Sequence, residues 1–395
     1  MKVAYVVPRY GLEVVGGAEY GARMLAERLV AHLGWRIEVL TTCAVDAATW
    51  ADEYPPGEVD LNGVRVRRFR SVAGRAPEFP ALSDRVLPDP AAASPADEQR
   101  WIDLQGPVCP DVVAAAADGD ADVVVFYPYL YYPTVRGVPA VGRRAVMHPA
   151  AHDEAPLRLP LFRDVFAGVG GLVLQTEGER RLVERLFPVA HLPQVVMGLG
   201  AEPVEGDGAA ARAALGLGDE PYLVCVGRVD EGKGTALLAR FFAAYKARRP
   251  GPLKLVMAGP VVHRPPPHAD VVVAGPVDEA TKWGLLRGAV ALVSPSPFEA
   301  FSIVVVEAWT AGVPVVVNAA CLATSEHVAR SGGGVAFAGY GQFEVAVDRL
   351  AADAGLRRAL ADRGRAHAER HFTWPVILAR YQAFLERARD RAAAS

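Results

Sequence analysis

The sequence contains 395 residues, of which 51% are hydrophobic and 22% are charged. A chain of this length is too long for one ordinary core, so we expect two domains of about 200 residues each. The formal net charge of −3 argues against a general nucleic-acid-binding protein, because such proteins carry basic surfaces. The sequence also has no apolar run near the ~20 residues that span a bilayer.

The beginning of the chain and its cysteines indicate a compartment. Residues 1–9 form a short strand-like run that ends at Pro8, without the long apolar core of a signal peptide. The four cysteines are far apart and lack the spacing of metal ligands. We therefore expect free thiols in a reducing compartment. This predicts a cytoplasmic protein, and leaves open a peripheral contact with the inner face of the membrane.

Short β-branched runs alternate with stretches of helical period in the first half of the chain. This pattern predicts strands over residues 2–7, 36–41, 122–127, 144–148 and 171–175, and helices over 18–33 and 178–187. Strands that alternate with helices indicate a parallel sheet with crossover helices. Residues 71–110 are rich in Pro, Ala and Asp, and we interpret them as mixed loop and helix.

The alternation starts again near residue 220, after a loop-rich stretch. Strands are predicted over residues 222–226, 253–258, 270–274, 290–294 and 314–318, and helices over 233–248 and 278–288. A last helix is predicted over 373–391, where apolar residues recur at helical spacing. The sequence therefore predicts an α/β protein with two successive Rossmann-like domains.

A basic, glycine-containing loop follows the first strand of the second half. Gly227-Arg228 ends that strand, and Lys233-Gly234 precedes the next helix. Ligands of open α/β sheets bind beyond the carboxyl ends of the strands. Glycines let the backbone approach a bulky anion, and the two cations can make charge-assisted hydrogen bonds to it. The loop is thus a candidate diphosphate site, with a solvated turn as the alternative.

Two carboxylates, Glu299 and Glu307, lie eight positions apart near residue 300. β-Branched residues between them favour a strand, which would place the carboxylates roughly 26 Å apart. If Ser302 instead caps a helix, Glu307 lies only ~7.5 Å along the axis, and both groups can meet one ligand. We predict the helix, ending at Gly312 before the strand at 314–318.

The ordered set of motifs resembles the retaining glycosyltransferases of family 4 (glycosyl transferases group 1), which have the GT-B fold. Glu299 and Glu307 match the E-x7-E signature, and residues 227–234 match the phosphate motif G-R-x(4)-K-G. Other matching segments are Met257-Ala258-Gly259, Ala274-Gly275-Pro276-Val277, Ser294-Pro295-Ser296 and His371-Phe372-Thr373-Trp374. The resemblance covers most of residues 196–390. Phe301-Ser302 departs from it, because family members often have Phe-Gly there.

The resemblance implies that the two domains bind different substrates. Residues 1–198 would form an acceptor-binding domain and residues 199–372 a donor-binding domain, facing each other across a cleft. Residues 373–395 would form a helix that crosses back to the first domain. The donor, a UDP- or GDP-sugar, would contact Gly16, Gly17, Gly227, Arg228, Lys233, Glu299, Ala300, Phe301, Ser302, Ile303 and Glu307. Glu299 would bind the sugar hydroxyls and Glu307 the ribose.

A histidine loop and an aromatic loop follow strands of the first half. Family members often carry His-Asp beyond such a strand, in contact with the donor sugar. His152-Asp153 matches this pair, and His148 is the rival. Sugars stack on aromatic faces, so Tyr129 and Tyr131 are further acceptor-side candidates, with plain packing as their alternative. We predict His152, Glu299, Arg228 and Lys233 as the catalytic residues.

The resemblance predicts a metal-independent hexosyltransferase that retains configuration and needs no cofactor beyond the nucleotide sugar. Its acceptor would be a saccharide, a lipid-linked molecule or a small molecule with a hydroxyl group, in cell-surface polysaccharide or glycoconjugate assembly. Two alternatives remain. A twin-Rossmann sugar-nucleotide epimerase would place catalytic acids in the cleft instead of E-x7-E. A non-catalytic nucleotide-sugar-binding protein would bind the donor without releasing nucleoside diphosphate.

Overall fold

The computed structural model describes residues 1–394, which divide into two units. The first unit comprises Met1–Met197 and the residues from Leu378 onward, and the second comprises Gly198–Ile377. The sequence placed these divisions after residues 198 and 372. Each unit has its own sheet and its own hydrophobic core. The predicted fold class, α/β with two Rossmann-like domains, is confirmed.

The first unit is built on an eight-stranded sheet with the order β3-β4-β2-β1-β5-β6-β7-β8. Its strands are β1 Lys2–Val6, β2 Arg36–Thr42, β3 Gly57–Leu61, β4 Val64–Phe69, β5 Val123–Phe126, β6 Ala145–Met147, β7 Gly171–Leu174 and β8 Gln194–Val196. The β3–β4 pair is antiparallel and the other pairs are parallel. The central strands are apolar along their whole length because helices cover both faces of such a sheet.

Seven α-helices lie in the first 197 residues. They are α1 Gly17–Leu33, α2 Phe79–Val86, α3 Pro95–Gln105, α4 Pro110–Asp118, α5 Tyr132–Val141, α6 Leu161–Ala167 and α7 Glu177–Leu186. Residues 71–110, which the sequence predicts as mixed loop and helix, contain α2 and α3, and α4 begins at residue 110. Pro95 and Pro110 each occupy a first helical position, which needs no N–H donor.

The second unit contains a six-stranded parallel sheet with the order β11-β10-β9-β12-β13-β14. Its strands are β9 Tyr222–Val226, β10 Lys254–Ala258, β11 Val271–Gly275, β12 Ala291–Ser294, β13 Val315–Asn318 and β14 Gly334–Phe337. The helices in order are α8 Gly208–Ala214, α9 Thr235–Arg248, α10 Glu279–Gly288, α11 Ile303–Thr310, α12 Leu322–Ser331, α13 Tyr340–Ala352 and α14 Ala354–His371. The order reverses at β9, so the loops after β9 and β12 lie at a switch point, where such sheets bind ligands.

The segment after Ser302 is a helix, as predicted against its β-propensity. In α11 the side chains of Val305, Val306 and Trp309 are fully buried. Burial of this face outweighs the weak preference of β-branched residues for strands, which is a context-dependent effect of about 1 kcal/mol. Ser302 is the N-cap residue of this helix, as predicted, but it does not cap the helix through its side chain. Within residues 1–394 its hydroxyl makes no capping hydrogen bond, because Ser302 adopts a left-handed conformation with φ of 65°.

The final helix, α15, spans Trp374–Ala393. Its Tyr381 is fully buried in the first unit, where its hydroxyl lies 2.8 Å from the hydroxyl of Tyr5 and 2.8 Å from Nε2 of His148. A buried polar network is stable only when its groups find partners. These bonds therefore anchor the C-terminal segment to β1 and to the end of β6.

Within residues 1–394, no helix is both long enough and apolar enough to cross a membrane. The four cysteines in the same range are buried free thiols.

Candidate functional site

The loop between β9 and α9 contains the predicted phosphate motif and is held in shape by an aspartate that the sequence prediction missed. Asp230 forms an ion pair with Arg228, and its Oδ1 accepts a hydrogen bond from the N–H of Lys233 at 2.7 Å. The hydroxyl of Thr235 donates to the Asp230 carbonyl at 2.9 Å. These contacts make a compact turn, and α9 begins at Thr235 rather than at the predicted Lys233.

A glycine at the end of the neighbouring strand allows this loop to lie close to β10. A Cβ atom on Gly259 would lie 2.1 Å from the Gly227 carbonyl oxygen, and Gly259 has a φ of 144°. Only glycine tolerates both conditions. Steric contact with Gly227 therefore explains why the Met257-Ala258-Gly259 motif ends in glycine in this chain.

The structure brings Lys233 and Glu299 together. The Nζ of Lys233 lies 2.7 Å from Oε1 of Glu299, and both side chains retain some exposure to solvent, 34% and 17% respectively. Arg228 is more exposed, at 54% of its side chain. The loop thus carries two partly exposed cations beside a strand end, each paired with a carboxylate, and such groups can bind an anion and a hydroxyl-rich ligand.

Between the two glutamates, Phe301 packs into the interior of the unit, and α11 begins at Ile303. The ring of Phe301 is buried against His327 and Phe372, at centroid distances of 5.0 and 5.2 Å. The Phe301 carbonyl contacts Nε2 of His327 at 2.8 Å. Ala300 and Ile303 are half-buried. The first N–H groups of α11 lie here, and such groups favour anions.

Glu307 lies on the first turns of α11 and is nearly enclosed. Its side chain is 6% exposed, and its Oε1 lies 2.8 Å from Nζ of Lys282 on α10. Burial raises the pKa of the Glu307 carboxyl, and the Lys282 ammonium opposes that rise. Burial also disfavours the charged form of Lys282, but Glu307 and Glu279 outweigh it and raise the pKa of the lysine.

In the first unit, the Gly16-Gly17 turn opens α1 and holds a buried ion pair. Nε of Arg9 lies 3.0 Å from Oε1 of Glu19, and both side chains are more than nine-tenths buried. A Cβ atom on Gly16 would lie 2.1 Å from Oε2 of Glu19, whereas one on Gly17 would meet nothing within 4 Å. Glycine at position 16 thus leaves room for the pair.

The loop after β6 carries the His-Asp pair in a chain of polar contacts. Nε2 of His152 lies 3.2 Å from Oε2 of Glu154, and Oε1 of Glu154 accepts a hydrogen bond from the hydroxyl of Tyr129 at 2.8 Å. Asp153 forms ion pairs with Arg158 and with Arg185. The side chain of His152 is 32% exposed, so a ligand can reach it.

The rival histidine and the aromatic candidates are more enclosed. His148 is fully buried, stacks on Tyr127 at a centroid distance of 4.8 Å, and has its pKa lowered to about 3 by that burial. Its Nδ1 has no hydrogen-bond partner in the described residues. Tyr129 is 1% exposed, and Tyr131 packs edge-on against Trp50. Enclosure favours packing for His148 and Tyr129, and the roles predicted for this group stay predictions.

Glu179 supports the His152 loop and was not singled out by sequence. Its carboxylate accepts hydrogen bonds from the N–H groups of Ala151 and Gln175, each at 2.6 Å, and its own N–H donates to Thr176 Oγ at 3.0 Å. Burial raises the pKa of Glu179 to about 7. The T-x-x-E spacing of Thr176 and Glu179, which resembles a capping box, is the signal that could have identified it.

We expect Glu179 to make the stability of the protein depend on pH. Its folded pKa of about 7 exceeds the ordinary value near 4.5, so its stabilising contribution is complete below pH 4.5 and is lost as pH rises through about 7. Relative to Glu179→Gln, the wild-type free energy of unfolding should fall by about 3 kcal/mol between these limits. Urea unfolding of both proteins from pH 5 to pH 8 measures this difference. Parallel curves across that range would contradict it.

The described residues contain no group of three or more His, Cys, Asp or Glu side chains placed to hold a metal ion. Two residues in contact with the predicted set had no distinct signal in the sequence. Asp230 looks like an ordinary loop aspartate, and Lys282 like a solvent-facing residue of a helix. Their partners are brought to them only by the folding of separate segments.

The fold and the site define the class of the molecule, a GT-B protein with two Rossmann-like units. Sucrose-phosphate synthase from Thermosynechococcus elongatus superposes with a TM-score of 0.72 over 100% of both chains, at 18% identity. Anabaena HepE in complex with UDP and glucose superposes with a TM-score of 0.66 over 98% of both chains, at 15% identity. These similarities confirm the GT-B fold.

Sequence comparison relates the second unit to a known family. Residues 209–367 match the family model "Glycosyl transferases group 1". The chain is 34% identical to D-inositol 3-phosphate glycosyltransferase of Actinosynnema mirum over 61% of its own length and 63% of the relative's. It spans less than two thirds of the length of each curated relative that it matches. The predicted resemblance to group 1 glycosyltransferases is confirmed.

Proposed function

We propose that the protein is a retaining glycosyltransferase, which moves a hexosyl group from a UDP- or GDP-sugar to a hydroxyl acceptor. The observation that carries this proposal is the contact of Lys233 with Glu299. It joins the phosphate motif to the first glutamate of E-x7-E within a region of the glycosyl transferases group 1 family. That family uses nucleotide-sugar donors.

The donor would lie across the two loops after β9 and β12. Arg228 and Lys233 would bind the diphosphate, together with the N–H groups at the start of α11. Glu299 would accept hydrogen bonds from the sugar hydroxyls and Glu307 from the ribose. By their motif positions, Gly16, Gly17 and His152 are further proposed donor contacts, with His152 near the reacting carbon. These roles follow the motif positions and the contacts described above.

In the proposed reaction, the bond between the anomeric carbon and the diphosphate oxygen breaks as the acceptor oxygen bonds to the same face of that carbon. The acceptor proton passes to an oxygen of the departing phosphate. Negative charge builds on the diphosphate, and Arg228 and Lys233 stabilise it, which is usually the largest catalytic contribution. The reaction needs no metal ion in this proposal.

The acceptor is proposed by chemical class. The curated relatives are named D-inositol 3-phosphate glycosyltransferases, which favours a small hydroxylated acceptor. Saccharide and lipid-linked acceptors of cell-surface polysaccharide or glycoconjugate assembly are the other classes to be tested. A cytoplasmic site of action, including the inner face of the membrane, belongs to the same proposal.

A donor panel tests the proposed function. UDP- and GDP-hexoses are added to the protein with and without EDTA, and thermal stabilisation and release of nucleoside diphosphate are measured. UDP-glucose stands first in the panel because HepE was solved with UDP and glucose. We expect one donor to stabilise the protein and to be hydrolysed slowly, equally with EDTA, and faster when its acceptor is present. If no nucleotide sugar binds, the proposed function is wrong.

A further inference from the structure

A buried lysine on a neighbouring helix contacts the carboxylate of Glu307. Lys282 lies on α10, which packs against α11, and only 12% of its side chain is exposed. Its Nζ lies 2.8 Å from Oε1 of Glu307 and 2.9 Å from Oε2 of Glu279. Glu279 is 56% exposed, so Glu307 is the enclosed partner of the lysine.

The hydrogen bond from Lys282 uses one of the two oxygens of Glu307. Oε1 accepts this hydrogen bond. Oε2 takes no part in it, and only 6% of the Glu307 side chain is exposed. A carboxylate can accept up to about four hydrogen bonds. Glu307 therefore retains acceptor capacity on one oxygen while the other is held in place.

Stability alone is a weak reason for this pair. Removing two charges from water costs several kcal/mol per ion, and replacing a buried ion pair with apolar residues is often neutral or stabilising. Glu307 itself is 4% exposed, so an apolar residue there, with an apolar partner in place of Lys282, would suit the packing. An ionised carboxylate with a fixed orientation suits a ligand that has hydroxyl groups.

We propose that Lys282 is a positioning residue of the donor site: it holds Glu307 through Oε1, so that Oε2 is presented to the ribose diol of the nucleotide. This inference rests on the proposed function, in which Glu307 binds the ribose. A vicinal diol offers two O–H donors, and an ionised carboxylate is a stronger acceptor for them than a neutral amide or acid. Lys282 thereby contributes to the preference for a ribonucleotide without touching it.

The test compares nucleotides that differ only in the ribose. The dissociation constants of UDP and GDP, and of their 2′-deoxy analogues, are measured for wild type, Lys282→Met and Lys282→Arg. Wild type should bind the ribonucleotide more tightly. We expect Lys282→Met to weaken ribonucleotide binding about tenfold, the value of one hydrogen bond to a charged group, and to leave 2′-deoxy binding nearly unchanged. Lys282→Arg should keep most of the preference.

The ratio of ribo to 2′-deoxy affinity separates positioning from a merely structural role. A general loosening of the unit would weaken both nucleotides equally and leave the ratio unchanged, which would overturn the proposal. Lys254→Met is the control, because Lys254 forms an ion pair with Asp270 at 2.9 Å in the same unit, with both side chains 23% exposed. Its ratio should equal that of wild type.

Two further outcomes are distinguishable. If Lys282→Met does not fold, Lys282→Gln takes its place: a reduced ratio with normal 2′-deoxy binding supports the orienting contact, and an unchanged ratio overturns it. If the wild type binds no nucleotide at all, the proposed function fails and this inference fails with it. A wild type that binds nucleotides, with an unchanged ratio in Lys282→Met, overturns the role of Lys282 alone.

Discussion

Replacing Lys233 with alanine is expected to lower kcat/KM for the donor on the order of 10²–10³-fold, or about 3–4 kcal/mol of transition-state stabilisation. Lys233 belongs to the loop after β9, and its Nζ lies 2.7 Å from Oε1 of Glu299. In the proposed reaction, charge builds on the diphosphate as the sugar departs, so the loss should fall mainly on kcat. The measurement is steady-state release of nucleoside diphosphate at varied donor concentration.

Lys254→Ala is the control for Lys233→Ala. It removes a lysine from an ion pair with Asp270 on the same sheet, and it should leave both kinetic constants near wild type. Arg228 is the second cation of the loop and should partly compensate, so the variant keeps measurable activity. Equal kcat/KM values for wild type and Lys233→Ala would remove the phosphate role from this loop.

Glu307→Ala is expected to weaken binding of the nucleoside diphosphate on the order of 10²-fold, because it removes the proposed charged acceptor of the ribose hydroxyls. One hydrogen bond to a charged group contributes about 1.5–3 kcal/mol. The variant also removes the enclosed partner of Lys282, whose side chain is only 12% exposed in the wild type, and leaves this lysine paired with Glu279. Titration calorimetry of the donor nucleotide, identified by the donor panel, measures the affinity.

Loss of stability must be separated from loss of binding in this variant. Glu344→Ala is the matched control, since Glu344 is 10% exposed and pairs with Arg248 at 3.0 Å in the same unit. Both variants should have lower thermal stability than wild type, but only Glu307→Ala should lose nucleotide affinity. If Glu307→Ala binds the nucleotide as tightly as wild type, Glu307 does not contact the ribose.

Local sequence determined the alternation of strands and helices around the site. The strands at 222–226 and 314–318 were predicted within a residue of β9 and β13, because buried parallel strands are continuous apolar runs. The spacing of Gly227, Arg228 and Lys233 placed a basic loop at a strand end, where ligands of such sheets bind. These features depend on a few consecutive residues, so they can be predicted from the local sequence.

The conformation around Ser302 shows where local rules became insufficient. β-Propensity favoured a strand after Ser302, and the helix was chosen because two carboxylates had to meet one ligand. Burial of Val305, Val306 and Trp309 accounts for that helix in the folded protein. The left-handed conformation of Ser302, in place of a capping hydrogen bond, came only from the structure. A serine there costs roughly 1 kcal/mol relative to glycine.

By itself, the sequence determined the fold class, the order of the strands along the chain and the residue types of the candidate donor site. The tertiary structure alone decided which side chains meet: Lys233 with Glu299, Lys282 with Glu307, and Glu179 with the His152 loop. Each of these contacts joins segments that are separated by 25 to 66 residues. Secondary structure follows from neighbouring residues. Side-chain pairs of this kind form only after separate strands, helices and loops have packed against one another, so the partners have no fixed spacing in the sequence.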